Sequence, residues 1–348
     1  MVDVAFAVPG DLVAPTGGYA YARRLLALLP AQGVTVRHIQ LPASYPHPTD
    51  ADLAETERLV RQTSDGAVLL VDGLPYGAMP ASLIRNFDRR VVALVHHPLG
   101  FEAGYGEKRQ AELIASEKTA LAAAERVVAC SAATARALVT AFAVPSERIT
   151  IAEPGTEPAH RATGTGAPVQ LLAVGAVSQR KGYDVLVAAL RDLADLDWHL
   201  TIVGSLDHAP AASAALHAAI QASQLRQRVT VAGAVNEDRL TRLYDRTDVF
   251  VSPSLFEGYG MVLAEAMARG LPLVASTGGA AAETVPDAAG LKVPAGDASS
   301  LREALRLMIA DPALRRTCAD GSWAAGQALP RWPDTAARVA EALKTVAA

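Results

Sequence analysis

Short runs that are apolar throughout alternate with stretches of helical periodicity along almost the whole chain, and this alternation most narrows the folds open to it. Residues 2–8, 35–41, 67–71, 90–95, 126–130 and 148–151 read as strands. Between them, 19–29, 51–62, 108–124 and 132–142 repeat apolar residues at helix spacing. A strand with no polar alternation is buried on both faces, so the pattern predicts parallel sheets covered by helices on each side. Such sheets bind ligands beyond the C-terminal ends of their strands. The residues to weigh are therefore those just after the strands: Gly17, Gly18, Asp72, His96, His97, Ser131, 175–181, Gly204 and 252–260.

The alternation breaks once, at 153–168, where Gly, Pro and Thr supply turn chemistry and little to bury. It then restarts. Residues 169–174, 199–203, 229–232, 249–251 and 273–275 read as strands, and 183–193, 211–224, 237–245, 262–269 and 299–308 as helices. Two βα arrays split by a Gly/Pro stretch predict an α/β chain of two doubly wound, Rossmann-like domains facing each other across a cleft. The expected division is 1–157, a linker at 158–168, and 169–327. A length of 348 residues, 51% of them hydrophobic and 20% charged, is enough for two cores.

The same composition excludes several functions. A net charge of −4 leaves no basic footprint for nucleic acid, and 5% aromatics offer few stacking platforms. The two cysteines, Cys130 and Cys318, lie far apart and fit a reduced, cytoplasmic setting better than a disulfide scaffold. Residues 1–9 lack a basic start and reach Pro9 after eight residues, so they read as a first strand and not a signal peptide. No apolar run approaches the ~18–20 residues that span a membrane. Peripheral association, including with the inner face of a membrane, stays open, and so does the oligomeric state.

Glu257 and Glu265 flank a glycine-bearing loop and the start of a helix. Glycine lets backbone N–H groups approach a ligand, and a helix start adds free donors and a positive dipole end, which together suit a diphosphate. Two carboxylates beside it can accept hydrogen bonds from sugar and ribose hydroxyls. A solvated loop glutamate with a second one favouring the helix dipole is the competing account. Arg180 and Lys181 follow the strand at 169–174, where a planar fork and a point charge suit a phosphate clamp; solvated surface is again the rival. Thr16-Gly17-Gly18-Tyr19 forms a glycine turn before the first helix. His96, ending a strand, can donate to a sugar hydroxyl or take part in acid/base work, unless it is merely hydrogen-bonded within the strand end. Asp195-Leu-Asp197 has the D-x-D form of a metal site, but it sits at the N-terminal end of its strand, the wrong end for a ligand. No grouping has convincing metal spacing. Ser131 reads as a helix N-cap.

Taken together, these residues resemble glycosyltransferase family 4, a group of retaining enzymes with the GT-B fold. The likeness covers nearly the whole chain and is strongest from 169 to 296. Its most specific part is Glu257-Gly258-Tyr259-Gly260-Met261-Val262-Leu263-Ala264-Glu265 with the Gly270-Leu271-Pro272 that follows. The resemblance implies roles. Glu257 would bond a donor-sugar hydroxyl and Glu265 the ribose. Arg180 and Lys181 would hold the diphosphate, helped by backbone at Gly17, Gly18, Gly175 and along Gly258, Tyr259, Gly260, Met261 and Val262. Val235 would contact the base, and His96 would lie against the transferred sugar. Residues 328–348 would form a last helix crossing back to the first domain. The family often places arginine after the glycine equivalent to Gly175; here Ala176 stands there, and Arg180 is expected to substitute.

The implied activity is metal-independent, retaining transfer from a UDP- or GDP-sugar, used as substrate with no cofactor, to a hydroxyl acceptor. A nucleotide-sugar epimerase or phosphorylase of the same fold, or a binding protein without catalysis, remains open. Acceptor choice is expected around 74–80 and 98–108.

Overall fold

The computed structural model describes residues 1–348 apart from Pro15, Ala103 and His208. The chain divides into two compact units, Met1–Gly155 with Pro330–Ala348, and Thr156–Leu329.

The first unit is built on β1 (Val2–Pro9), β2 (Val34–Leu41), β3 (Val68–Asp72), β4 (Val91–Val95), β5 (Arg126–Ala129) and β6 (Ile149–Ile151). They form one sheet in the order β2-β1-β3-β4-β5-β6, with every pairing parallel. The five residues of β3 and of β4 are all buried, whereas edge strand β2 alternates, with Thr35, Arg37 and Gln40 exposed. That contrast explains why interior strands read as unbroken apolar runs. Ser131 caps the helix Ala132–Phe142 by accepting from the Thr134 N–H at 3.0 Å. The helix Trp332–Ala347 packs across β1 and β3 to β6. It is pinned by Thr335 Oγ1 donating to Glu153 O at 2.7 Å, and by Arg90 donating to Val346 O at 2.7 Å.

The second unit repeats the plan with β7 (Val169–Val174), β8 (Trp198–Val203), β9 (Val229–Val231), β10 (Val249–Ser252), β11 (Leu273–Ser276) and β12 (Gly290–Val293). The order is β12-β11-β10-β7-β8-β9, again parallel throughout. Successive residues of β7 feed opposite cores. Val169, Leu171 and Ala173 pack with Leu186, Leu190 and Leu305, while Leu172 packs with Tyr244, Leu263 and Met267. Each buried Leu or Val contributes about 1.5–3 kcal/mol, so helices are needed on both faces. Among the elements here that had gone unread in the sequence are a strand and a long helix. β12 is four residues long with a lysine inside it, and the helix Pro312–Gln327 has a mixed surface; Asp311 starts that helix by accepting from the Ala313 and Leu314 N–H groups.

The stretch 158–168, read above as a linker, lies wholly within the second unit and has no helix or strand, yet it is tied down. The Ala162 N–H donates to Arg269 O, those of Thr163 and Gly164 to Asp245 O, and those of Thr165, Gly166 and Gln170 to the Asp248 carboxylate. Turn-forming composition announced the absence of regular structure, not freedom of movement. The chain passes between units at Gly155–Thr156 and again at Leu329–Pro330.

Both sheets reverse winding direction at one place, between β1 and β3 in the first and between β7 and β10 in the second. Loops leaving the two central strands there part to opposite sides and open a crevice at the carboxyl ends.

Candidate functional site

In the second unit the crevice is walled by the loop after β7, which carries Gly175, Arg180 and Lys181, and the loop after β10, which carries Glu257. A turn of 3-10 helix, Gln179–Lys181, ends at Gly182 with φ 62°. A Cβ at Gly182 would lie 2.3 Å from Pro253 O, so only glycine lets these loops meet. The Leu255 N–H then donates to Arg180 O at 2.7 Å, and Arg180 Nη1 donates to Phe256 O at 2.8 Å.

That closure brings together three of the residues singled out in the sequence. Lys181 Nζ donates to Glu257 Oε1 at 2.6 Å, and Arg180 Nη1 stands 3.5 Å from Oε2. Ser254 Oγ donates to the same Oε1 at 2.6 Å. Glu257 is buried at 7% exposure, and burial alone would raise its carboxyl. The charges of Lys181 and then Arg180 outweigh that, and with the hydrogen bonds they hold it at about 2. The carboxylate is thus ionised with one oxygen committed. Two cations gathered on one carboxylate at the carboxyl end of the sheet suit a diphosphate.

On the other side of Glu257, its loop is braced by Gly279. A Cβ there, at φ 65°, would lie 2.3 Å from Glu257 O, to which the Ala280 N–H donates at 2.8 Å. Gly260 (φ 94°) opens the short helix Met261–Met267, whose Leu263 and Ala264 N–H groups return to Gly260 O. Met261 and Val262, both partly buried, occupy the turn before the first i→i−4 bond. Gly258 and Tyr259 lie in the same loop, and Thr284 Oγ1 donates to Tyr259 O at 2.7 Å. Glu265 follows on the helix and accepts from Tyr244 OH at 3.0 Å. Burial pushes its carboxyl up, against the downward pull of the Tyr244 hydroxyl and of Arg269. Val235, partly buried, packs against the core that includes Leu172, Tyr244 and Phe250.

Gly17, Gly18 and His96 belong to the first unit, at its own winding reversal. Gly17 and Gly18 open the helix Gly17–Leu28, where Thr16 Oγ1 accepts from the Tyr19 N–H at 3.3 Å. A Cβ on Gly18 would stand 3.3 Å from His96 Cδ2, so the glycine and the imidazole are in contact. His96 Nε2 is 3.3 Å from Asp72 Oδ2, an ion-pair distance, but the angle makes no hydrogen bond. Asp72 is itself fixed by the Leu74 N–H at 2.9 Å, and Tyr21 meets the His96 ring edge-on at 5.2 Å.

Asp195 receives both Arg306 nitrogens, at 2.6 and 3.0 Å, in keeping with a structural turn. Among the described residues no three His, Cys, Asp or Glu side chains gather as a metal site. Of the loops expected to choose the acceptor, Ala103 lies outside the described residues. Sequence reasoning missed Tyr244, whose helix gave no sign of a link to Glu265; Ser254 fell within the 252–260 stretch singled out above, but no role was read for it.

Residues 158–322 match the family described as Glycosyl transferases group 1, and residues 11–160 the one described as Glycosyltransferase Family 4. A D-inositol 3-phosphate glycosyltransferase from Catenulispora acidiphila is 31% identical over 320 residues, covering 81% of this chain and 74% of that protein. The chain belongs to glycosyltransferase family 4. A second protein of that name, from Xylanimonas cellulosilytica, is 31% identical over 242 residues, which is 64% of this chain and 58% of that protein. The chain thus spans little more than half the length of that relative. Among solved structures, sucrose-phosphate synthase from Thermosynechococcus elongatus superposes with a TM-score of 0.84 at 24% identity, over 99% of both chains. Anabaena HepE in complex with UDP-glucose gives 0.79 at 18%, over 99% of this chain and 100% of that one. At those identities the likeness speaks for the fold, and the fold of this family member is GT-B.

Proposed function

We propose that the protein transfers a hexosyl group from a nucleoside-diphosphate sugar to a hydroxyl acceptor, with retention of configuration and without a metal ion. The observation that carries this reading is the buried Lys181–Glu257–Arg180 cluster at the winding reversal of the second sheet.

In the reaction, the bond from the anomeric carbon to the diphosphate oxygen breaks while an acceptor oxygen bonds to that carbon from the same face. The acceptor proton passes to the departing phosphate oxygen, so no side-chain nucleophile is required. Charge builds on the diphosphate as it leaves, and Lys181 and Arg180 are already held in place to stabilise it. These two cations do the work a metal ion would otherwise do. Glu257 keeps Lys181 oriented through Oε1 and offers Oε2 to a donor-sugar hydroxyl. Glu265 takes the ribose, and His96 serves the transferred sugar. UDP- and GDP-sugars are the donors proposed; HepE, which shares the fold, is seen with UDP-glucose. D-Inositol 3-phosphate, named in the relatives, is the first acceptor to try. We place the reaction in the cytoplasm; among the described residues no helix is long and apolar enough to cross a membrane.

The test is turnover of Arg180→Ala/Lys181→Ala in the presence of EDTA, with the anomer of the product read by proton NMR. Loss of these preorganised charges lowers kcat/KM by about 100-fold or more, while the unaltered protein stays active in chelator and gives the donor's own anomer. Near-normal turnover in the double variant removes the clamp, an inverted product removes retention, and conversion of the nucleotide sugar with no acceptor present makes the protein an epimerase.

A further inference from the structure

A glutamate carries three side-chain torsions, so something must aim Glu265 if it is to read a ribose. The structure supplies Tyr244, the penultimate residue of the helix Glu237–Asp245, whose hydroxyl donates to Glu265 Oε2 at 3.0 Å. Tyr244 is 1% exposed, and its ring is held by two neighbours. Phe250 stacks on it with centroids 5.9 Å apart at 20°, and the Arg269 guanidinium lies 4.5 Å from its centroid. Arg269 in turn donates to the backbone carbonyl of Glu265 at 3.0 Å, which closes the group into one network. The phenol therefore has one place to point, and it points at one oxygen of the carboxylate.

We infer that Tyr244 is a positioning residue for ribose recognition: it commits Oε2 of Glu265 and so presents Oε1 to the two vicinal hydroxyls of a ribonucleotide. This rests on the proposed role of Glu265. One oxygen accepting from both hydroxyls makes recognition depend on direction, because a small rotation of the carboxylate loses both bonds together. The same hydroxyl favours the ionised carboxylate, the form that accepts best, against the burial that opposes it.

The test is a binding cycle by calorimetry. UDP, GDP and ADP are titrated alongside their 2′,3′-dideoxy counterparts, and the base that binds is carried forward into Tyr244→Phe, Glu265→Gln and Phe250→Leu. In the unaltered protein the dideoxy nucleotide binds more weakly. Tyr244→Phe keeps the ring and its stacking, and shrinks that preference by about threefold to tenfold, the size of one net hydrogen bond. Phe250→Leu loosens the ring while keeping the hydroxyl, and shrinks the preference less than Tyr244→Phe does. If Tyr244→Phe keeps the full preference while Glu265→Gln loses it, Tyr244 has no positioning role although the ribose reading stands. If Phe250→Leu shrinks it equally, packing and not the hydroxyl is responsible, and the proposal fails. If Glu265→Gln keeps the full preference, the ribose reading itself fails.

Discussion

Glu257 and Glu117 are buried carboxylates of the same length, one in each unit, yet they are held in opposite states. Glu257, at the reversal of the second sheet, has Lys181 and Arg180 beside it and stays ionised down to about pH 2. Glu117, on the helix Glu107–Ala123 and 1% exposed, accepts from the backbone N–H groups of Leu99 and Gly100, each at 3.1 Å. Burial wins over those two bonds and pushes it up to about 7. One topology thus carries two electrostatic designs. The second unit brings cations to its crevice and then needs an anion to hold them. The first fastens the loop that follows His96 with neutral backbone donors to Glu117, beside the Asp72–His96 and His97–Glu102 contacts. The difference shows that parallel α/β winding fixes where a site lies while leaving its charge to the loops.

The largest effect should come from breaking the ionic design. Glu257→Ala takes the shared carboxylate away from Lys181 and Arg180, whose side chains are 12% and 20% exposed. Removing one member of a buried pair costs about 3–5 kcal/mol, so urea unfolding should show a loss of that size. The contribution also has a pH window. A carboxyl whose folded value is depressed stabilises above its unfolded value near 4.5, and that stability is lost as pH falls toward about 2. A loss under 1 kcal/mol at neutral pH would mean that the cluster is solvated and the contrast with Glu117 is false.

The neutral design predicts the reverse slope. Because Glu117 is raised in the fold, its contribution is full below about pH 4.5 and is lost as pH rises through about 7. The slope approaches about 1.4 kcal/mol per pH unit between those limits. Glu117→Gln should start less stable, since an amide cannot accept from both N–H groups, and should lack this slope. Parallel stability curves for the two proteins from pH 5 to 8 would refute it.

How much of this was legible in the sequence follows from the range of each interaction. Strand periodicity is local, so eleven of the twelve strands stood out to within a residue at each end, whereas β12, with Lys292 inside it, did not. The helix Trp332–Ala347 came only through family resemblance, because nothing near it names the sheet it covers. Arg180, Lys181 and Glu257 could be named as candidates from the loops they occupy. Their mutual burial could not, since Lys181 and Glu257 are 76 positions apart and are brought together by the backbone approach at Gly182. For the same reason Tyr244 and Glu265, on different helices, gave no joint signal. The 158–168 stretch misled in the opposite sense, because Asp245 and Asp248, which hold it, are about 80 residues away.

The smallest effect separates charge from hydrogen bonding inside the cluster. Ser254 and Lys181 donate to the same oxygen of Glu257, each at 2.6 Å. If the ion pair anchors the carboxylate, Ser254→Ala removes one neutral donor and costs about 1 kcal/mol, with donor KM rising less than tenfold. The methyl side chain fits where the hydroxyl was, and the freed lone pair still faces an ammonium. A cost near that of Glu257→Ala would reverse the assignment: the hydroxyl would be the anchor, the two cations would be held elsewhere, and the second unit would depend, like the first, on neutral donors.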